Sequence, residues 1–411
     1  MSLTLPPVGT SRLLELLSPY APDDFLAEVC PRYFTGGRRH ALSATQLWRT
    51  HLLAVLTSTH SLNLLVKQLP EQVAWRRFAR LRHALPTARM RHEFRRSMGV
   101  SGLRTINQHL VGRLLRRQGV QPHAVALMDA TDLPAACGGF KKSSGDYTAA
   151  NAALGGRTLK TGQSRWFVGY KKHTLRLWLP TVHPSVTLVP LVSWITPANV
   201  AEGGLLLPSL HWCRRHLGWW PGIVVADMGY LSTPSKQAAR EGWQSAVVTK
   251  LRADMKLAPP YASAARAECP QGQRLEWWEY EPESGQQWFR VPAEPELCAH
   301  CWQATTCPGH FGYTAGSHET LLGSLPLASR VAQRLLRQVR PWIEPAQSFE
   351  KNQLGLGQMF FNSRRLTWQM SLWTDSAVLL RTMVWLNTPT ESSLLAGLQV
   401  RQLELELPAQ K

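Results

Sequence analysis

No stretch of the 411 residues holds the ~20 uninterrupted apolar side chains that a membrane-spanning helix needs. The N-terminus MSLTLPPVGTSRLLELL shows no basic flank leading into an apolar run and a small-residue cleavage site. A secretory signal is therefore not expected, and a reducing, cytoplasmic setting is. Acidic residues are scarce: 27 Asp plus Glu stand against 46 Lys plus Arg, a formal charge of +19. Basicity on that scale fits a polyanion better than a membrane surface, because phosphate neutralisation supplies most non-specific nucleic-acid binding energy. Disulfides are not expected either. Cys30, Cys137 and Cys213 are scattered and read as buried thiols. Cys269, Cys298, Cys301 and Cys307 lie close together, and in a chain without a secretion signal such clustering favours a metal. Internal repeats are not evident.

The length suggests two or three domains. Residues 10–118 read as mostly helical. Ser43, Thr87 and Ser101 are placed as N-caps and Gly99 and Gly119 as stops, while Leu103, Ile106, Leu110 and Leu114 form one apolar stripe. Arg76, Arg77, Arg80, Arg82, Arg89, Arg91, Arg95 and Arg96 crowd this region with few acids to neutralise them. They either solvate a helical surface or meet a DNA backbone, and the shortage of acids favours DNA. Residues 1–120 are thus expected to be a helical DNA-binding or dimerising region. In 121–251, short apolar runs alternate with helical stretches, which indicates an α/β core. Within it, the glycine-rich segment from Cys137 to Arg165 lacks apolar periodicity and is expected to be a mobile loop, with Lys141, Lys142, Arg157, Lys160 and Arg165 able to close on DNA. Residues 252–325 concentrate proline, glycine and tryptophan around short alternating runs and read as a β-rich insertion. Residues 326–400 return to helical spacing.

Three acids stand in informative settings. Asp129 in AVALMDATD and Asp227 in GIVVADMGY each end an apolar run that reads as a buried strand, so each carboxylate is expected at a sheet edge, where open α/β sheets gather ligand-binding groups. A capping or turn aspartate would look the same, and Asp132 competes with Asp129. In RPWIEPAQSFEK, the spacing of Arg340, Glu344 and Lys351 predicts one shared helical face. Pro345 fits only a first helical turn, and Glu350 is the rival carboxylate. Distant carboxylates that converge can hold two divalent ions, an arrangement suited to in-line phosphoryl transfer.

Arg340-x3-Glu344-x6-Lys351 resembles the Tyr-Arg-Glu-Lys (YREK) signature of DDE transposases from bacterial insertion sequences, with Arg337 standing where the signature has its tyrosine. Asp129 in MDATD and Asp227 in ADMGY resemble the first and second catalytic aspartates of that family. GYKKH at 169–173, ECPQG at 268–272, CAHCWQATTC at 298–307 and LPTARMRHEFRRSMG are similar to further segments of the group, so the resemblance covers roughly residues 10–390. It implies an RNase H-like mixed sheet whose third acid follows a β-rich insertion. It also implies two Mg²⁺ ions held by Asp129, Asp227 and Glu344, with phosphates gripped by Arg340 and Lys351 and, more weakly, by Lys171 and Lys172. The partners it implies are double-stranded DNA (terminal inverted repeats and target) and a second copy of the chain, in a bacterial, nucleoid-associated setting. A non-catalytic DNA-binding protein derived from a transposase, and a related metal nuclease, are the rival readings.

Cys298-x2-Cys301 suits tetrahedral zinc, and Cys269 with Cys307 would complete a Cys₄ set. His300 or His310 could replace one cysteine, and free thiols are the alternative. Of seventeen tryptophans most should be core; Trp277, Trp278 and Trp342 are candidates to stack on an extruded base.

Overall fold

The computed structural model describes residues 6–32, 41–59, 61–118, 124–136, 139–158, 163–179, 188–250, 261–263, 266–269, 271–281, 283–284, 286–292, 298–314, 325, 327, 329–358 and 362–387. Cys137, Lys160, Gly119 and the C-terminal tail lie outside them. The protein is a mixed α/β chain that divides into two compact units. Among the described residues no helix is long and apolar enough to cross a membrane.

The first unit takes the described residues within Met1–Val120, Ala130–Val200 and Ile343–Leu395. Its N-terminal part is helical: α1 (Ser11–Leu17), α2 (Asp23–Val29), α3 (Ala44–Leu56), α4 (Leu62–Gln68), α5 (Val73–Phe78) and α6 (Ala88–Gln118). Ser43 starts α3 through a capping box with Gln46. Thr87 Oγ1 accepts from Met90 N at the start of α6. At Gly99 the α6 backbone leaves helical geometry (φ 59°, ψ −163°), a conformation that glycine takes without a Cβ penalty. The expected stop is therefore a kink, after which Leu103, Ile106, Leu110 and Leu114 are buried as one stripe. Arg49 on α3 is fully buried and forks onto Asp23 at 2.9 and 2.7 Å, tying α3 to the first turn of α2.

Against these helices lies α11 (Arg364–Asn387), buried on all sides from Gln369 to Val384. It packs on α6 and on β6 (Leu188–Pro197), and Asn107 of α6 donates to Leu372 O at 2.9 Å. Strand β6 pairs antiparallel with β5 (Ser164–Trp178), as does β4 (Ala153–Thr158), while the end of β1 (Val125–Pro134) lies beside β5. At Gly169 of β5 an added Cβ would sit 2.3 Å from Leu133 O, so the approach of the two strands requires glycine. The glycine-rich segment expected to be a loop contains β2 (Phe140–Lys141), β3 (Asp146–Tyr147) and β4. The reason is visible at Gly156, where the Trp166 ring on the partner strand occupies the space a side chain would need (2.7 Å from an added Cβ).

The second unit takes the described residues within Gln121–Asp129 and Ala201–Trp342. The first half of β1 pairs in parallel with β7 (Ile223–Ala226), which pairs in parallel with β8 (Ala246–Thr249). Helix α7 (Leu206–Leu217) precedes β7, and α8 (Thr233–Trp243) joins β7 to β8 as a βαβ unit. All four residues of β7 are buried, as a strand covered on both faces requires. The expected β-rich insertion is present: β9 (Tyr261–Ser263) pairs with β10 (Arg266–Ala267), and β11 (Glu276–Glu281), β12 (Gln286–Arg290) and β13 (His310–Thr314) form an antiparallel sheet. Helix α9 (Arg330–Arg334) follows.

Candidate active site

The parallel ladder sets the geometry of the second unit's acids. Its register pairs Met128 of β1 with Ala226 of β7. Asp129 follows Met128 within β1, which runs on to Pro134, and Asp227 follows Ala226 just past β7, so both stand at the carboxyl-terminal end of the parallel ladder. Adjacent strands lie about 4.8 Å apart, and residues at one register share a face, which puts the two carboxylates side by side. Asp227 also caps the short 3₁₀ turn Met228–Tyr230 by accepting from Met228 N.

Arg340 meets this pair. Its Nη2 lies 3.2 Å from Asp227 Oδ2, with both side chains partly exposed. Two residues that the sequence separates by more than a hundred positions are thus in contact. Arg340 opens a 3₁₀ turn (Arg340–Trp342) that follows a π-helical turn (Leu335–Val339), so it does not lie on the regular helix its spacing suggested. Arg337, at the position of the signature's tyrosine, is exposed.

Sequence reasoning missed a third acid at this edge. Tyr230 is fully buried, and burial together with the carboxylates of Glu202, Asp129 and Asp227 pushes its phenol well above the usual value. Glu202 therefore belongs to the same cluster. Its approach depends on Gly229, where an added Cβ would lie 2.5 Å from Glu202 Oε2. Nothing in NVAEGG marks Glu202, because its role follows from a turn two elements away.

Glu344 belongs to the first unit, exposed in the first turn of α10 (Ile343–Ser348), where Pro345 is tolerated. A second π turn (Phe349–Gln353) follows, and its wider helical repeat breaks the spacing that would align Lys351 with Glu344. The rival Glu350 is buried in an ion-pair network. Lys351 is half-buried; burial lowers its ammonium from the usual value and Arg157 and Arg165 lower it further, against the pull of Asp132 and Glu350.

The assignment of Lys172 to DNA phosphates is corrected. Its side chain is fully buried and its Nζ lies 2.9 Å from Glu350 and 2.7 Å from Asp375, so it cannot reach a solvent-borne phosphate. The two-residue period of β5 leaves its neighbour Lys171 half-buried, opposite Thr196.

The donor chemistry at the sheet edge fits a hard divalent cation. Mg²⁺ is commonly held by one or two carboxylates and several waters, and Asp129 and Asp227 supply that minimum. Among the described residues no three His, Cys, Asp or Glu side chains form a ready metal-ligand group. The insertion's cysteines are half-buried free thiols, each at or beside a tight turn: Gly272 N donates to Cys269 O (2.9 Å), Cys301 N to Cys298 O (3.3 Å), and Cys307 N to Gln303 O (2.9 Å). Burial and then Cys269, Cys301 and Cys307 raise the Cys298 thiol. His310 is taken up by ring contacts with Trp278 and Trp288, and His300 is exposed. Trp277 donates to Gln287 Oε1 at 2.6 Å, whereas Trp278 is exposed and Trp342 half-buried.

No protein-family model matches the chain, and no curated protein matches it. Among solved structures it is similar to a piggyBac transposase in a cryo-electron microscopy synaptic complex with hairpin DNA, at 13% sequence identity and a TM-score of 0.28, with 98% of this chain and 85% of that chain covered. A likeness at that TM-score does not establish a shared fold, so the functional reading rests on this chain's own residues.

The Tyr230 phenol gives the acid cluster a pH signature. A group whose folded value is raised contributes stability that is fully present below its unfolded value, near 10, and is lost as pH rises past it. Urea unfolding between pH 8 and 11 should show the wild type losing stability more steeply than Tyr230→Phe above about pH 10. Equal slopes would place Tyr230 outside the carboxylate field.

Proposed function

We propose that the chain is a metal-dependent DNA transposase of the bacterial insertion-sequence type, acting on phosphodiesters at element ends and in target DNA. The observation that carries this reading is the parallel register that sets Asp129 and Asp227 one residue past the Met128–Ala226 pair, with Arg340 against Asp227. The spacing of Arg340, Glu344 and Lys351 supports it, as does the surplus of nineteen positive charges. An RNase H-like core is supported by β1, which pairs in parallel with β7 and whose end lies beside β5, itself antiparallel to β6.

In this reading Asp129, Asp227 and Glu344 hold two Mg²⁺ ions. Bound there, the ions supply Lewis-acid stabilisation of phosphate oxygens and a more acidic water or 3′-hydroxyl nucleophile. Arg340 exchanges the Asp227 carboxylate for a phosphate oxygen when DNA enters, its fork suited to bidentate contact. Lys351 grips a neighbouring phosphate; an anion there relieves the repulsion of Arg157 and Arg165. Tyr230 stays protonated and offers a neutral hydroxyl amid the acids. A homodimer bridging two terminal inverted repeats is the working assembly. Cys269, Cys298, Cys301 and Cys307 hold a structural zinc that staples an insertion too small to build its own core.

Supercoiled plasmid carrying the element's ends should be nicked in Mg²⁺, and Asp227→Asn should abolish nicking while a gel shift shows duplex binding within about twofold of wild type. Binding without nicking in the wild type would instead mark a non-catalytic DNA-binding protein. Nicking with no joining of 3′-hydroxyl ends to target would mark a nuclease. Metal analysis of purified protein should find one zinc per chain, lost in Cys298→Ser/Cys301→Ser; zinc-free wild type with intact activity would assign the cysteines as plain thiols.

A further inference from the structure

The first unit buries four charges that the reaction does not use. Lys172 and Arg176 on β5, Glu350 in the second π turn and Asp375 on α11 are each no more than 3% exposed. Lys172 Nζ reaches Glu350 Oε2 (2.9 Å) and Asp375 Oδ1 (2.7 Å), and Arg176 Nη2 reaches Glu350 Oε1 (2.8 Å). Two cations face two anions, so the cluster is neutral. Burial alone would raise the Glu350 carboxyl, but Arg176 and Lys172 outweigh it and hold it below the usual value; for Asp375 burial wins and its carboxyl is raised.

Such a cluster is a poor device for stability, since apolar side chains of the same volume commonly serve as well or better. It is a good device for position, because each pair has a fixed length and direction, and here three elements meet in one network. The π turn is pinned on either side of Glu350. Arg381 of α11 stacks 4.4 Å from the centre of the Phe349 ring, Ser58 Oγ donates to Gln353 O (2.8 Å), and Leu356 N and Gly357 N close back onto Glu350 O (3.0 Å) and Lys351 O (3.1 Å). Successive residues of a helical turn point in different but fixed directions, so fixing Glu350 inward fixes the direction in which Lys351 leaves the segment.

We infer that Lys172, Arg176, Glu350 and Asp375 are positioning residues that aim Lys351 at a DNA phosphate. This deepens the phosphate role of Lys351 proposed above and rests on it. The network acts through the π turn and touches no DNA itself.

A double-mutant cycle tests it, read by fluorescence anisotropy of a labelled duplex across a salt series. Lys351→Ala should lower the slope of log affinity against log salt by about 0.9, the loss of one phosphate contact. Glu350→Gln should lower the slope equally, and adding Lys351→Ala to Glu350→Gln should lower it no further. A fourfold apolar variant (Lys172→Met, Arg176→Met, Glu350→Met, Asp375→Leu) should melt no lower than wild type yet show the same reduced slope, which separates aiming from folding and carries the cycle if Glu350→Gln does not fold. If Lys351→Ala still removes its full contact in the network variants, the inference is overturned while the phosphate role stands. If Lys351→Ala leaves the wild-type slope unchanged, the phosphate role falls, and this inference with it.

Discussion

The register between β1 and β7 is the constraint on which the account depends. Parallel strands buried on both faces have little freedom to slip, because a one-residue shift would turn every side chain to the opposite face. With Met128 locked to Ala226, Asp129 and Asp227 come next in register at the end of the parallel ladder. The sheet thus converts two short hydrophobic segments, far apart in sequence, into a pair of adjacent carboxylates. Tyr230 on the turn after β7, Glu202 on the turn before α7 and Arg340 gather around them, and Gly229 leaves the room for Glu202.

The protein separates its charges by environment. Many of its cations are exposed, a surface suited to polyanions, and several of its buried charges are paired with one another. Arg49 forks onto Asp23, and Lys172 and Arg176 share Glu350 and Asp375. Lys351 stands at the border between the two populations. Its neighbour Glu350 is drawn into the core, while its own ammonium is half-buried beside two exposed arginines.

Much of this was legible in the sequence, for reasons that can be named. The apolar run that stops at Asp227 marks a strand end, whereas β1 runs past Asp129 to Pro134, and Ser43, Thr87 and Gly99 mark helix starts and a kink through capping and φ chemistry. The central burial of α11 follows from its many large apolar residues, although Gln369, Thr374, Asp375 and Arg381 are buried with them. Other features depend on contacts that local spacing does not encode. YKKH does not say which lysine faces inward, although the period of two already implied that both could not face solvent. The glycines at 155 and 156 looked like loop formers, yet they make room for Ala198, Phe167 and Trp166 across a β ladder. The π turns around Arg340 and Lys351 widen a helix without a sequence signature, and Glu202 joins the acid cluster only through tertiary proximity.

The central proposal, still to be tested, is that Asp129, Asp227 and Glu344 serve one divalent-metal site. Fe²⁺ loaded in place of Mg²⁺, with ascorbate and peroxide, cuts the backbone locally around bound metal, and mass spectrometry locates the cuts. The account predicts cleavage in all three segments, near 129, 227 and 344, suppressed by excess Mg²⁺. Cuts confined to the segments around 129 and 227, with the chain around Glu344 intact, would contradict it.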